Sequence, residues 1–234
     1  MNETKRSRRS IWVILAGALL AILVPVVLLL TSLRLLLTDA FIHIEYRLPG
    51  FPEDSYGFTL EDRLRWAPLA LDYLLNDEGI EFLADLEFDD GSPLYNQREL
   101  KHMQDVKILT QWVLDVWIAG MLAVILVGVM LYFRGHGEHL WSSIRLGTRI
   151  MLLLMLALVI GLAIAFPFVF VGFHRIFFEG DTWLFEYSNT LIRLFPERFW
   201  RDAFVFVVVL TVGGAGLTHW IASRRLRRSK ASET

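Results

Sequence analysis

Tyr95, Glu99 and His102 recur at i, i+4 and i+7, so on a helix they fall within about 60° of one another. Asp105 lies three residues further along the same flank. An imidazole beside carboxylates is an arrangement for proton transfer. The carboxylate fixes the ring tautomer and raises its basicity, which a general base requires. The same spacing also suits a polar helix end whose side chains hydrogen-bond and do nothing more. A second candidate is His174 with Arg175, flanked by Phe173 on one side and by Ile176, Phe177 and Phe178 on the other. A histidine next to a permanent cation is suited to stabilising an oxyanion. A snorkelling arginine beside an interfacial histidine is the plainer reading. Asp115 is the third candidate. It interrupts a long apolar stretch, where ionisable residues face a bundle interior or a cavity, and Arg34 is its expected partner. His43 stands alone, His136 and His139 sit in a Gly-His-Gly-Glu-His turn and read as solvated loop side chains, and His219 lies towards the C-terminus.

Other chemistries lack their signatures. There is no G-x-S-x-G elbow, no HExxH and no P-loop lysine motif. Glu99-x-x-His102 matches half of a di-iron helix pair, and no second E-x-x-H exists. The absence of cysteine excludes a thiol nucleophile and a disulfide framework. No metal and no cofactor is expected, although a zinc hydrolase built on His102, His174 and carboxylates is a third reading. Nothing points to nucleic acid or to a protein partner.

The elements that must position these residues come from the apolar blocks. Of 234 residues 55% are hydrophobic, and four blocks reach the roughly 20 residues that cross a bilayer as a helix. The first follows Lys5, Arg6, Arg8 and Arg9. It is too long for the h-region of a signal peptide, so a retained helix is expected. Basic residues then sort the loops. The N-terminal tail, the segment with Arg134, Arg145 and Arg149, and the tail with Arg224, Arg225, Arg227, Arg228 and Lys230 share one side, which the positive-inside rule makes cytoplasmic. The long segment from Arg34 to Lys107 carries 16 Asp and Glu against 7 Lys and Arg, and falls on the other side.

The expected fold is an all-α transmembrane bundle of four spans with a mixed outer-face domain between spans 1 and 2. The segments read as a basic tail 1–10, spans at 11–37, 105–133, 150–173 and 203–223, outer regions 38–104 and 174–202, a cytoplasmic loop 134–149 and a basic tail 224–234. Within the outer domain, residues 41–47 are β-branched and aromatic and suggest a short strand. Thr59-x-x-Asp62 starts a helix whose apolar stripe is Leu60, Leu64, Leu71, Leu74 and Leu75.

Two segments together resemble a known family. One runs Tyr95-Asn96-Gln97-Arg98-Glu99-Leu100-Lys101-His102-Met103-Gln104-Asp105-Val106. The other runs from Phe173-His174-Arg175-Ile176-Phe177-Phe178-Glu179-Gly180-Asp181-Thr182-Trp183 through Leu191-Ile192-Arg193-Leu194-Phe195-Pro196-Glu197-Arg198-Phe199. They resemble the bacterial integral membrane family of the lipoprotein intramolecular transacylase. The resemblance implies an enzyme of the cell membrane that moves an acyl chain from the sn-2 glyceryl ester of a diacylglyceryl lipoprotein to the α-amine of its N-terminal cysteine. Carried over by motif, His102 and His174 match the family's histidines, Arg175 joins them as a catalytic candidate and Tyr95, Glu99 and Asp105 are candidate supports, while Asp115 is added as a support from its place in the span. From the residues themselves His102, oriented by Glu99 and Asp105, is favoured as the proton shuttle and His174 with Arg175 as the group binding the ester carbonyl, with the two histidine roles open to exchange. The implied partners are the diacylated lipoprotein N-terminus and bilayer lipid. The alternative is a non-catalytic lipid- or lipoprotein-binding membrane protein.

Overall fold

The structure is a computed structural model and describes residues 11–178, 180 and 183–231, with side chains to residue 229. The tail 1–10, Glu179, Asp181, Thr182 and residues 232–234, on which several sequence expectations fall, lie outside the described residues. The helices in chain order are α1 (Ile11–Leu36), α2 (Asp39–Glu45), α3 (Leu60–Leu75), α4 (Glu81–Ala84), α5 (Gln97–Phe133), α6 (Gly137–Phe177), α7 (Thr190–Leu194) and α8 (Glu197–Ala231). Four of them, α1, α5, α6 and α8, are long and apolar enough to cross a membrane. Helix α5 starts at Gln97, so one helix begins ahead of the second span and runs on through it, and only residues 134–136 separate it from α6.

The chain divides into two compact units. The first comprises the described residues up to Thr31, Trp117–Ala157, and those from Leu210 onward. Its core is Val13, Ala16, Leu20, Leu131 and Leu140. Small residues let α1 and α6 approach closely, as interfaces in lipid require. Gly147 packs where an added methyl would come within 3.0 Å of the Ala21 carbonyl oxygen. That carbonyl is the one Pro25 leaves without its helical donor. Gly17 lies directly against the His139 ring and the Ser143 hydroxyl.

The second unit comprises Ser32–Val116 and Leu158–Val209 and holds every candidate site residue. Phe41, Tyr46, Trp66, Leu71, Tyr73, Leu83, Tyr95, Leu194 and Phe199 belong to its core. The expected outer domain is present but built from short helices. Among the described residues the strand content is a single Glu87–Pro93 bridge across the Asp89-Asp90-Gly91 turn, where Gly91 takes φ +81°. The segment read as a strand at 41–47 is instead mostly α2. Phe41, Ile42 and Glu45 are buried while His43 and Ile44 are exposed, a helical pattern. Phe41 packs edge-on to Phe199 and Phe206, and that contact overrides local β-propensity.

Helix α3 does start at the Thr59–Asp62 capping box. Of the leucines expected, Leu71 is buried and Leu64 and Leu74 pack against the core, and the buried stripe also includes residues that were not expected. Arg63, Trp66, Ala67, Ala70, Leu71 and Tyr73 face inward, whereas Leu60 and Leu75 are exposed. The Arg63 guanidinium justifies its burial by donating to the carbonyls of Pro52 and Arg193. Helix α6 carries a kink at Ala165, two residues before Pro167, whose missing N–H and bulky ring interrupt the helical ladder. The piece beyond the kink carries His174 in its last turn.

Candidate functional site

His102 lies on the second turn of α5, and the local sequence explains why that turn is well formed. Asn96 is the N-cap. Its side-chain oxygen accepts from the backbone N–H of Arg98 and of Glu99. The Glu99 carboxylate reaches back to accept from the Asn96 N–H at 2.9 Å, which completes a capping box. Its other oxygen accepts from the Leu191 N–H of α7 at 2.7 Å. The Thr190 hydroxyl donates to the Leu94 carbonyl and the Tyr46 hydroxyl to the Leu194 carbonyl. Arg193 forms a partly buried ion pair with Asp54 at 2.9 Å. Helix α7 is thereby fastened to the start of α5 and to the loop before α3, and the segment leading into it is brought over His102.

The structure brings His102 and His174 together. Their ring centroids are 6.3 Å apart and their planes differ by 21°. His174 Nδ1 is 2.8 Å from the Phe170 carbonyl oxygen. A carbonyl only accepts, so Nδ1 carries the hydrogen and Nε2 keeps its lone pair. His102 Nδ1 is buried and has no hydrogen-bond partner among the described residues. Aromatic rings enclose the pair. Phe178 lies 5.0 Å from His102 and 5.5 Å from His174, Phe185 lies 5.3 Å from His102, and Phe170 and Trp183 lie 4.2 and 4.9 Å from His174. Two imidazoles in an apolar shell can pass a proton where water is scarce.

The other candidates fall elsewhere. Glu99 is buried but serves backbone N–H groups, not the imidazole, so the expectation that it orients His102 is corrected. Asp105 lies near enough to act on His102 through space, yet its bond is to Lys101 at 3.0 Å. Tyr95 is buried in the domain core, and burial raises its phenol above the ordinary range. Its hydroxyl has no partner among the described residues, and its charge interactions are with Glu99 and Tyr46. Asp115 is exposed, contrary to the expectation that it faces the bundle interior, and Arg34 donates to the Leu37 carbonyl instead of pairing with it. The thirteen-residue separation of Asp115 from His102 puts the two about 20 Å apart along the helix and on different faces. Arg175 is exposed and makes no hydrogen bond or ion pair among the described residues. No cluster of three potential metal ligands occurs among the described residues.

Sequence reasoning missed the rings around the imidazoles and the true use of Glu99. A signal existed for the second: Asn96-x-x-Glu99 is a capping-box pattern. The rings come from residues scattered between 170 and 185, and nothing in their spacing announces a shared target.

Comparison with known proteins gives the family and the fold. The family model for the lipoprotein intramolecular transacylase Lit matches residues 18–200. An uncharacterized protein of Aquifex aeolicus (strain VF5) is 33% identical over 198 residues, 84% of this chain and 88% of that protein. In meso structures of the membrane-integral lipoprotein intramolecular transacylase Lit from Bacillus cereus share the fold. One matches with a TM-score of 0.69 at 17% identity, covering 95% of this chain and 100% of that one. Another, bearing a histidine-to-arginine mutation, matches with a TM-score of 0.72 at 18% identity, covering 94% and 95%. A third, with the same histidine changed to alanine, also scores 0.72. The match over most of the chain and the Aquifex relative establish membership: this multi-pass membrane protein belongs to the Lit family of lipoprotein intramolecular transacylases, which are transferases.

Proposed function

We propose that the paired imidazoles move an acyl chain from the sn-2 glyceryl ester of a diacylglyceryl lipoprotein to the α-amine of its N-terminal cysteine. The amine nitrogen attacks the ester carbonyl, a proton leaves the nitrogen, the carbon–oxygen bond breaks and the glyceryl oxygen takes up a proton. The reaction is an isomerisation of one molecule, so it needs no activated serine and no co-substrate, and proximity within the substrate lowers the entropic barrier. It does need one group that accepts a proton and returns it.

The observation that carries this reading is the bond from His174 Nδ1 to the Phe170 carbonyl, opposite His102. It leaves Nε2 of His174 bare and aimed at proton chemistry, which favours His174 as the base and reverses the assignment expected from sequence. His102 then takes the part of polarising the carbonyl, its unpartnered ring nitrogen being satisfied by substrate. Arg175, next to His174 in sequence and unpaired among the described residues, is assigned to the oxyanion as the permanent cation nearest in the chain. Replacing Arg175 by Lys keeps the charge but loses the planar fork, and is expected to slow the transfer by about tenfold.

We further assign the site to the outer leaflet, with both tails cytoplasmic, on the charge bias of the connecting segments. The cysteine-free chain makes this easy to check. Single cysteines at Ser55, Ser142 and Ser229 are expected to react with an impermeant reagent in intact cells only at Ser55, and labelling at Ser142 would reverse the orientation. The chemistry is tested by mass spectrometry of a lipoprotein's N-terminal peptide with and without the purified protein. An N-acyl lyso product supports the reading, and an unchanged peptide supports the non-catalytic binding alternative.

A further inference from the structure

We propose that Trp183 and Phe185, the aromatic residues laid over the two imidazoles, direct the acyl chain to the amine and away from water. The inference rests on the transacylase reading of the same site. A general base does not itself discriminate between an amine N–H and a water O–H. With water in place of the amine, the ester carbonyl is attacked by oxygen, the glyceryl C–O bond breaks, and the products are a free fatty acid and a mono-acylated lipoprotein with its amine still bare. Both routes start from the same ester and use the same proton carrier. Only exclusion of water, or a faster amine, separates them.

The geometry points to exclusion. Trp183 lies 4.9 Å from His174 at an angle of 34°, and its indole N–H is already spent on the Gly180 carbonyl at 3.2 Å. It therefore presents an apolar face to the imidazole and no donor that would hold water there. Phe185 meets His102 edge-on at 5.3 Å and also packs against the outer-domain core. Phe178, 7% exposed, packs beside both imidazoles, its centroid 5.0 Å from His102 and 5.5 Å from His174. Three ties after Phe185 hold the segment in place. The Asn189 side-chain oxygen accepts from the Glu186 N–H, the Thr190 hydroxyl donates to the Leu94 carbonyl, and the Leu191 N–H donates to Glu99. Glu99, one turn before His102, is on this account a positioning residue that acts through the aromatic segment.

The test uses the full-length purified protein in lipid nanodiscs with a diacylated lipoprotein peptide in water enriched in oxygen-18. Mass spectrometry then separates three outcomes for each peptide: unchanged, N-acyl lyso product, and mono-acyl product with a labelled free fatty acid. Trp183→Ala and Phe185→Ala are expected to raise the ratio of hydrolysed to lyso product by about tenfold or more over wild type. Trp183→Phe, which restores an apolar ring, is expected to stay within about twofold of wild type. Should either alanine variant fail to fold, the corresponding leucine variant is measured in its place and the same direction is expected. The proposal is overturned if folded variants keep the wild-type ratio, or if they lose lyso product with no labelled acid appearing. A wild-type protein that makes no lyso product would instead remove the function on which the proposal rests.

Discussion

The first unit holds His136, His139 and His219 and the second holds His43, His102 and His174, and the two sets differ in what their rings meet. In the first unit His219 Nδ1 sits 3.0 Å from the Thr148 hydroxyl, His136 meets Trp12 edge-on at 5.2 Å, and His139 is pressed against Gly17. His139 Nε2 is buried and has no partner among the described residues, just as His102 Nδ1 is in the second unit. An unmet ring nitrogen therefore does not identify a reactive histidine. What differs is the opposite wall. His139 faces a helix packed closely against its ring, whereas His102 faces a second imidazole whose N–H is tied to a carbonyl and whose other nitrogen makes no hydrogen bond among the described residues.

The sharpest way to break that comparison is to replace histidines of each unit in turn. His102→Asn and His174→Asn are expected to lower the rate of lyso-product formation by about 10²–10⁴, as loss of a general acid–base group does. His219→Asn and His136→Asn are expected to leave it within a few-fold. A folded His219→Asn protein as slow as His174→Asn would erase the distinction between the two units.

The packing side of the comparison is tested at Gly17. A methyl there collides with the His139 ring and the Ser143 hydroxyl, so Gly17→Ala is expected to destabilise the protein by roughly 1–3 kcal/mol in thermal unfolding. Turnover per folded molecule is expected to be unchanged. A drop in turnover without a drop in stability would give the first unit a part in the chemistry.

Two buried carboxylates of the second unit make smaller and separable predictions. Glu99 holds two backbone N–H groups, so Glu99→Ala is expected to cost about 1–3 kcal/mol of stability. Its pH–rate profile should keep the wild-type midpoint, because Glu99 does not bond to the imidazole. A shifted midpoint would restore it as a partner of His102. Glu45 is fully buried. Burial, together with the neighbouring Asp202 carboxylate and against the opposing Arg198, raises it from 4.5 to about 7. Its folded-state value lies above the unfolded one, so its contribution is whole below about pH 4.5 and is lost as the pH rises through about 7. Glu45→Gln is therefore expected to raise the melting temperature at pH 8, by at most a few degrees, and to have little effect at pH 4.5. Equal stabilisation at both pH values would show that the carboxyl does not change its ionisation on folding.

The sequence alone determined the four spans, because the length of an apolar helix follows from bilayer thickness and is written in consecutive residues. It also determined the start of α3, since a capping box is complete within four positions, and the two histidines worth watching. Other features needed the tertiary structure. Residues 41–47 have the composition of a strand, and they fold as a helix because Phe41 finds Phe199 and Phe206, more than 150 residues away. On α3 Leu71 kept the core face, whereas Leu60 and Leu75 are exposed and Trp66 and an arginine that found two carbonyls are buried. Glu99 has the spacing of a catalytic partner, and the capping of α5 together with a distant N–H on α7 took both its oxygens. Which nitrogen of His174 is free was decided by a carbonyl one turn away, a choice that depends on the side-chain rotamer and not on the residue type. Local patterns are readable in a sequence because their partners are neighbours in it. The facing of two rings on two helices depends on how every other contact in the unit settles.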